Sequence, residues 1–143
     1  LMFVIQNKRN ENAIPYLCDI FKDTIDINKQ DYYGNTALML AVSYNKHIPI
    51  IQCLCDTFKD TIDINIEDKH GDTVFMLAAQ DNENVRVMQY LYETFKDIID
   101  IDKEDKSGNT AFMFASRYNT NIQIFRYLFN TFKNAININN QNY

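Results

Sequence analysis

The chain has 143 residues, 46% hydrophobic and 23% charged, with a formal net charge of −5. This supports a domain with a real core and excludes a disordered or membrane-spanning class, since no apolar run approaches the roughly 18 residues of a spanning helix. The acidic balance argues against nucleic-acid binding, which leaves a basic footprint.

Taken from its start, the chain opens on Leu1-Met-Phe-Val-Ile5, too short for a signal peptide and without a basic flank. This stretch is the remnant of a repeat. Gly34, Gly71 and Gly108 stand at one interval, since 71 − 34 and 108 − 71 both give 37. A fixed interval of that size marks a repeat architecture. Residues 1–30 are a partial copy without its opening turn, 31–67, 68–104 and 105–141 are full copies, and 142–143 begin another. No Pro/Gly/Ser linker interrupts them, so one array covers 1–143, and the cut repeats at its two ends are read as an excerpt of a longer array. Leu1 to Ile5, with no turn before them, are expected to fray.

Each full copy opens on Asp-x-x-Gly: Asp31 to Gly34, Asp68 to Gly71, Asp105 to Gly108. Glycine there suits a tight turn with positive φ. Thr36, Thr73 and Thr110 follow as helix caps that accept a backbone N–H. Ala37-Leu-Met-Leu-Ala-Val42 and its counterparts read as a short, mostly buried first helix. Asn45, Asn82 and Asn119 stop it, with the left-handed conformation expected of a terminal Asn; the partial copy has Lys8 there.

The second helix carries Ile50, Ile51, Leu54, Cys55 and Phe58, then Val87, Met88, Leu91, Tyr92 and Phe95, then Ile124, Phe125, Leu128, Phe129 and Phe132. These offsets keep one helical face apolar. Pro49 falls near its start, where a missing N–H costs little, and Pro15 predicts a later start in the first copy. Asp63-Ile-Asn65, Asp100-Ile-Asp102 and Asn137-Ile-Asn139 alternate polar and apolar residues and read as extended chain.

Reactive constellations are scarce. Cys18, Cys53 and Cys55 read as small buried hydrophobes in a reducing, intracellular and cytoplasmic setting. His47 and His70 match no metal-ligand spacing, and the three glycines build no phosphate loop. Asp60, Asp63, Asp97 and Asp100 recur with the repeat, which suits a scaffold better than a catalytic pair. No catalytic residue, cofactor or metal is expected, so the chain is not read as an enzyme.

The turn–helix–loop–helix unit resembles the ankyrin repeat, whose signature is Thr-Pro-Leu-His-x-Ala at a period of about 33 residues. The matching residues are Thr36-Ala-Leu-Met-Leu-Ala41, Thr73-Val-Phe-Met-Leu-Ala78 and Thr110-Ala-Phe-Met-Phe-Ala115, each with its preceding Asp-x-x-Gly. The resemblance covers essentially the whole chain. It implies an all-α helix-turn-helix solenoid with β-turn or hairpin fingers and about four stacked repeats. Ala or Val fills the Pro slot. Met2, Met39, Met76 and Met113 fill the His slot and are expected to pack between repeats without the polar contacts a His makes near the turn. The longer period predicts a second helix extended by about one turn of about 3.6 residues, with Phe58, Phe95 and Phe132 inside it and Ile62, Ile99 and Ile136 securing the return.

The resemblance also implies a protein partner on the concave side, met by finger tips and the exposed ends of the first helices. Carried over residue by residue, the tips are Tyr32, Tyr33 and Asn35, then Lys69, His70 and Asp72, then Lys106, Ser107 and Asn109. The helix ends give Gln6 and Asn7, Ser43 and Tyr44, Gln80 and Asp81, Arg117 and Tyr118. Tyr32, Tyr33, Tyr44 and Arg117 are the residue types enriched in hot spots, although packing on adjacent turns would also use them. The leading function is a protein–protein interaction module, monomeric or part of a longer chain, without nucleic acid or membrane. A targeting or regulatory arm of a larger enzyme or adaptor, and a spacer stack, are the alternatives.

Overall fold

A computed structural model describes residues 1–6, 12–44 and 48–133. Eight helices run through them: α1 (Met2–Gln6), α2 (Ala13–Phe21), α3 (Ala37–Tyr44), α4 (Ile48–Thr57), α5 (Val74–Asp81), α6 (Val85–Phe95), α7 (Ala111–Tyr118) and α8 (Ile122–Phe132). No strand occurs among the described residues. The odd-numbered helices pack on one another in chain order as one layer. The even-numbered helices form a second layer, and each pair is joined across the two.

The layers follow from the side-chain pattern. Ala37 to Val42 and Val74 to Ala79 are buried at every position. A helix apolar all round belongs between neighbours, and α3 and α5 each have one on either side. α6 is two-faced: Val87, Met88, Leu91 and Phe95 are buried, while Arg86, Gln89 and Glu93 face solvent. A single hydrophobic cluster runs from Ile5 through Met39, Leu54, Met76 and Leu91 to Phe132.

The threonine caps hold in two copies. Thr36 Oγ1 accepts the Met39 N–H at 3.3 Å, and Thr73 Oγ1 accepts that of Met76 at 3.4 Å. The expectation that the methionines make no polar contact is corrected. Met39 Sδ accepts the Thr36 N–H at 3.3 Å, and Met76 Sδ accepts the Thr73 N–H at 3.4 Å. The thioether is a weak acceptor, but it closes a reciprocal capping box from inside the core. Thr110 makes no side-chain cap bond.

The asparagines do stop their helices, but the expected left-handed conformation is corrected. Asn82 (φ −89°, ψ 120°) and Asn119 (φ −83°, ψ 126°) end their helices in extended conformation. Their side chains reach back to the preceding copy instead. Asn82 Nδ2 donates to the Val42 carbonyl at 2.9 Å, and Asn119 Nδ2 donates to the Ala79 and Asn82 carbonyls at 2.8 and 3.0 Å. Each Oδ1 accepts the N–H two residues on, from Asn84 and Asn121. Asn45 and Lys8 lie outside the described residues.

The predicted helical extension holds in two copies and falls one residue short in the other. Phe95 and Phe132 are the last residues of α6 and α8, and Phe58 comes just after α4. The chain then makes one tight turn: the Phe58 carbonyl accepts from Thr61 and Ile62, and that of Phe95 from Ile98 and Ile99. Ile62 is buried and Ile99 half-buried beneath this turn, while Ile136 lies outside the described residues. In the first copy α2 begins at Ala13, two residues later than the 37-residue register of α4 sets it, with Pro15 inside its first turn. There a missing N–H leaves no intrahelical bond unmade.

The closing segments clamp adjacent copies. Asn28 Nδ2 donates to the Thr61 carbonyl at 2.7 Å while its Oδ1 accepts the Asp63 N–H at 2.8 Å. Asn65 repeats this on the Ile98 carbonyl and the Asp100 N–H, at 2.7 and 3.0 Å. The third segment, Asn137-Ile-Asn139, lies outside the described residues.

Candidate partner-binding surface

Each finger is shaped by its aspartate. Asp31 Oδ1 accepts the N–H groups of Tyr33 and Asn35, and Asp68 Oδ1 those of His70 and Asp72. Asp105 Oδ1 does the same for Ser107 and Asn109. The chain turns at Gly34 (φ +87°), Gly71 (φ +89°) and Gly108 (φ +77°). Beyond the positive φ, the next finger leaves no room for a side chain. A Cβ on Gly34 would stand 2.7 Å from the Lys69 nitrogen, and one on Gly71 2.8 Å from that of Lys106.

Those two nitrogens join the fingers. The Lys69 N–H donates to the Tyr33 carbonyl and the Lys106 N–H to the His70 carbonyl, each at 3.0 Å. The tips therefore stack as a continuous strip. Tyr32 is 79% exposed and Tyr33 65% exposed, with their rings edge to face at 5.3 Å. Lys69 Nζ lies 3.7 Å above the Tyr32 ring, and Lys106 Nζ donates to the Lys69 carbonyl at 2.8 Å. The sequence positions 32, 33, 69, 70 and 106 are thus brought together and turned outward.

Asn35, Asp72 and Asn109 point the other way. Asn109 Nδ2 donates to Asp105 Oδ2 at 2.8 Å, and Asn35 Nδ2 lies 3.4 and 3.5 Å from the Asp31 oxygens. Asp72 is buried, and its Oδ1 finds no donor. These three shape the fingers from within.

Tyr44, Asp81, Arg117 and Tyr118 form a second group at the C-terminal ends of α3, α5 and α7. Their eight-residue helices separate them from the fingers by about 12 Å at 1.5 Å per residue. Tyr44 and Tyr118 are exposed, the Arg117 guanidinium lies 5.9 Å from the Tyr118 ring, and Asp81 Oδ1 accepts from Gln80 at 3.0 Å. Gln6, Ser43 and Gln80 lie at these ends as well, and Asn7 is outside the described residues.

The remaining polar chemistry is structural. Tyr90 donates to Asp56 Oδ1 of the preceding copy at 2.6 Å; burial first, then this bond, raise its phenol above the ordinary range. Burial likewise pushes Cys55 up to about 12, and Cys18 up to about 12 with a contribution from the neighbouring Cys53. Neutral thiols of this kind are poor nucleophiles. The cleft between α6 and α8, about 420 Å³, is lined by Val85, Gln89, Gln123, Arg126, Tyr127, Asn130 and Thr131, without carboxylate, imidazole or thiol. Among the described residues no group of three His, Cys, Asp or Glu side chains is placed to hold a metal. None of their helices is long and apolar enough to cross a membrane.

Stacked helix pairs with fingers joined edge to edge define a helical-repeat protein. The family described as ankyrin repeats (3 copies) matches residues 1–68 and 57–142, and the chain belongs to it. Ankyrin repeats are generally protein–protein interaction modules, and the family is typically non-catalytic. No curated protein matches the chain.

Proposed function

We propose that the chain is a non-catalytic interaction module that holds another protein along the finger strip and the exposed ends of the first helices. Tyr32, Tyr33, Lys69, His70 and Lys106 make the first set of contacts, and Tyr44, Asp81, Arg117 and Tyr118 the second. Asn35, Asp72 and Asn109 keep the fingers in shape for it. The reading is carried by the exposure of Tyr32, Tyr33, Tyr44 and Tyr118. Tyrosine buries a large area at small entropic cost and keeps a polar tip, so it favours interfaces. The three free cysteines support a cytoplasmic setting.

The test is the double variant Tyr33→Ala with Tyr44→Ala. Proteins captured by the wild-type chain are identified, and the affinity of both forms for them is measured beside their melting curves. The expected result is affinity reduced at least about tenfold with the melting temperature unchanged, as losing two hot-spot side chains implies. A lowered melt with unchanged affinity makes the tyrosines packing residues and removes the basis of this surface.

A further inference from the structure

The middle finger differs from its neighbours at one buried position. Asn35 and Asn109 present an amide to the aspartate of their own finger, at 3.4 and 2.8 Å. Asp72 takes the same position after its glycine, its backbone N–H bonded to Asp68 at 2.9 Å, and has no side-chain amide hydrogen to offer. It is 9% exposed, and its Oδ1 is buried without a donor. A buried, unpaired carboxylate is expensive to keep charged. Its surroundings add to that cost. Asp68 on the same finger, Asp105 on the next finger and Asp81 at the end of α5 all face it with like charge, and His70 alone opposes them. The nearby cations are committed elsewhere, Lys106 Nζ to the Lys69 carbonyl and Lys69 Nζ to the Tyr32 ring.

We propose that Asp72 takes up one proton that locks the middle finger through a bond to Asp68, and that the finger is strained when Asp72 is charged. The proton comes from solvent and sits on Asp72, whose carboxyl then donates to Asp68 as Asn109 does to Asp105. Burial first, then Asp68 and Asp105, push the Asp72 carboxyl up to about 6. The folded chain thus binds this proton more tightly than the unfolded chain. The stabilisation is full below the ordinary carboxylate range and is lost as pH rises through about 6. Lys69 and His70 ride on this finger, so its proton state reaches the strip proposed above, although the titration does not depend on that reading.

Asp72→Asn supplies the missing donor at every pH. Thermal melts of wild type and D72N across about pH 5 to 8 are expected to show D72N ahead at the upper end, with the gap closing as pH falls. Carbon-13 NMR of the wild-type carboxyl groups is expected to place the Asp72 midpoint about two units above an ordinary aspartate, falling back in Asp68→Asn. An Asp72 midpoint in the ordinary range overturns the proposal, as does a D72N gap that does not change with pH. The carboxyl titration decides the matter even where a variant fails to fold.

Discussion

Asn82 is 0% exposed and joins two copies, which makes it the sharpest test of how the stack coheres. Asn82→Ala removes the bond to the Val42 carbonyl and the bond from the Asn84 N–H, both 2.9 Å. Val42 is itself buried, so its carbonyl loses this bond away from water. That omission costs about 1–3 kcal/mol, and the half-buried Asn84 N–H adds about 1. The sum is about 3 kcal/mol. Urea unfolding followed by circular dichroism measures it. With a slope of about 1.5–2 kcal/mol per molar, the midpoint is expected to fall by roughly 1.5–2 M at unchanged slope. Asn82→Asp keeps the acceptor for Asn84 but places a carboxylate against the Val42 carbonyl, so it is expected to be at least as damaging near neutral pH. A loss below about 0.5 kcal/mol for N82A would show that the bond is not a net contributor, since that is the range of inert substitutions.

Met76→Leu conserves volume and deletes only the sulfur acceptor for the Thr73 N–H; a loss of about 0.5–1.5 kcal/mol in the same assay is expected, and no loss would leave the thioether as packing alone. Gly71→Ala forces a side chain into φ +89° and within 2.8 Å of the Lys106 nitrogen. It is expected to cost at least about 1–2 kcal/mol from φ alone and to speed amide exchange at Lys106, whose bond to His70 must open.

The fold was legible because its columns repeat. Gly34, Gly71 and Gly108 stood out as turns, and the run from Ala37 to Val42 reads as a short, mostly buried helix, which the structure buries at every position. What was misread turned on side chains with two feasible partners. Asn82 can stop its own helix by turning left-handed or reach the copy before it, and spacing alone does not choose between a backbone conformation and a carbonyl 40 residues away. Met39 and Met76 were rightly placed in the core, but a buried sulfur facing the first turn of its own helix leaves no trace in hydropathy. Phe95 and Phe132 close their helices as expected, and Phe58 alone falls one residue outside, since a helix end depends on carbonyls that the following turn captures. At the candidate surface, the outward tyrosines of the first finger followed from their place beside Gly34. The inward rotation of Asn35, Asp72 and Asn109 did not, because a short polar residue after a turn glycine serves either side.

The clamps made by Asn28, Asn65, Asn82 and Asn119 have a consequence for how such a chain changes over generations. Each reaches an adjacent copy at a nearly constant offset of 33 to 40 residues. A crossover that adds or deletes one complete unit leaves every surviving clamp with a partner of the right shape. The array can therefore lengthen or shorten by complete 37-residue units with its clamps intact, and a local peculiarity such as Asp72 travels with its unit as a cassette.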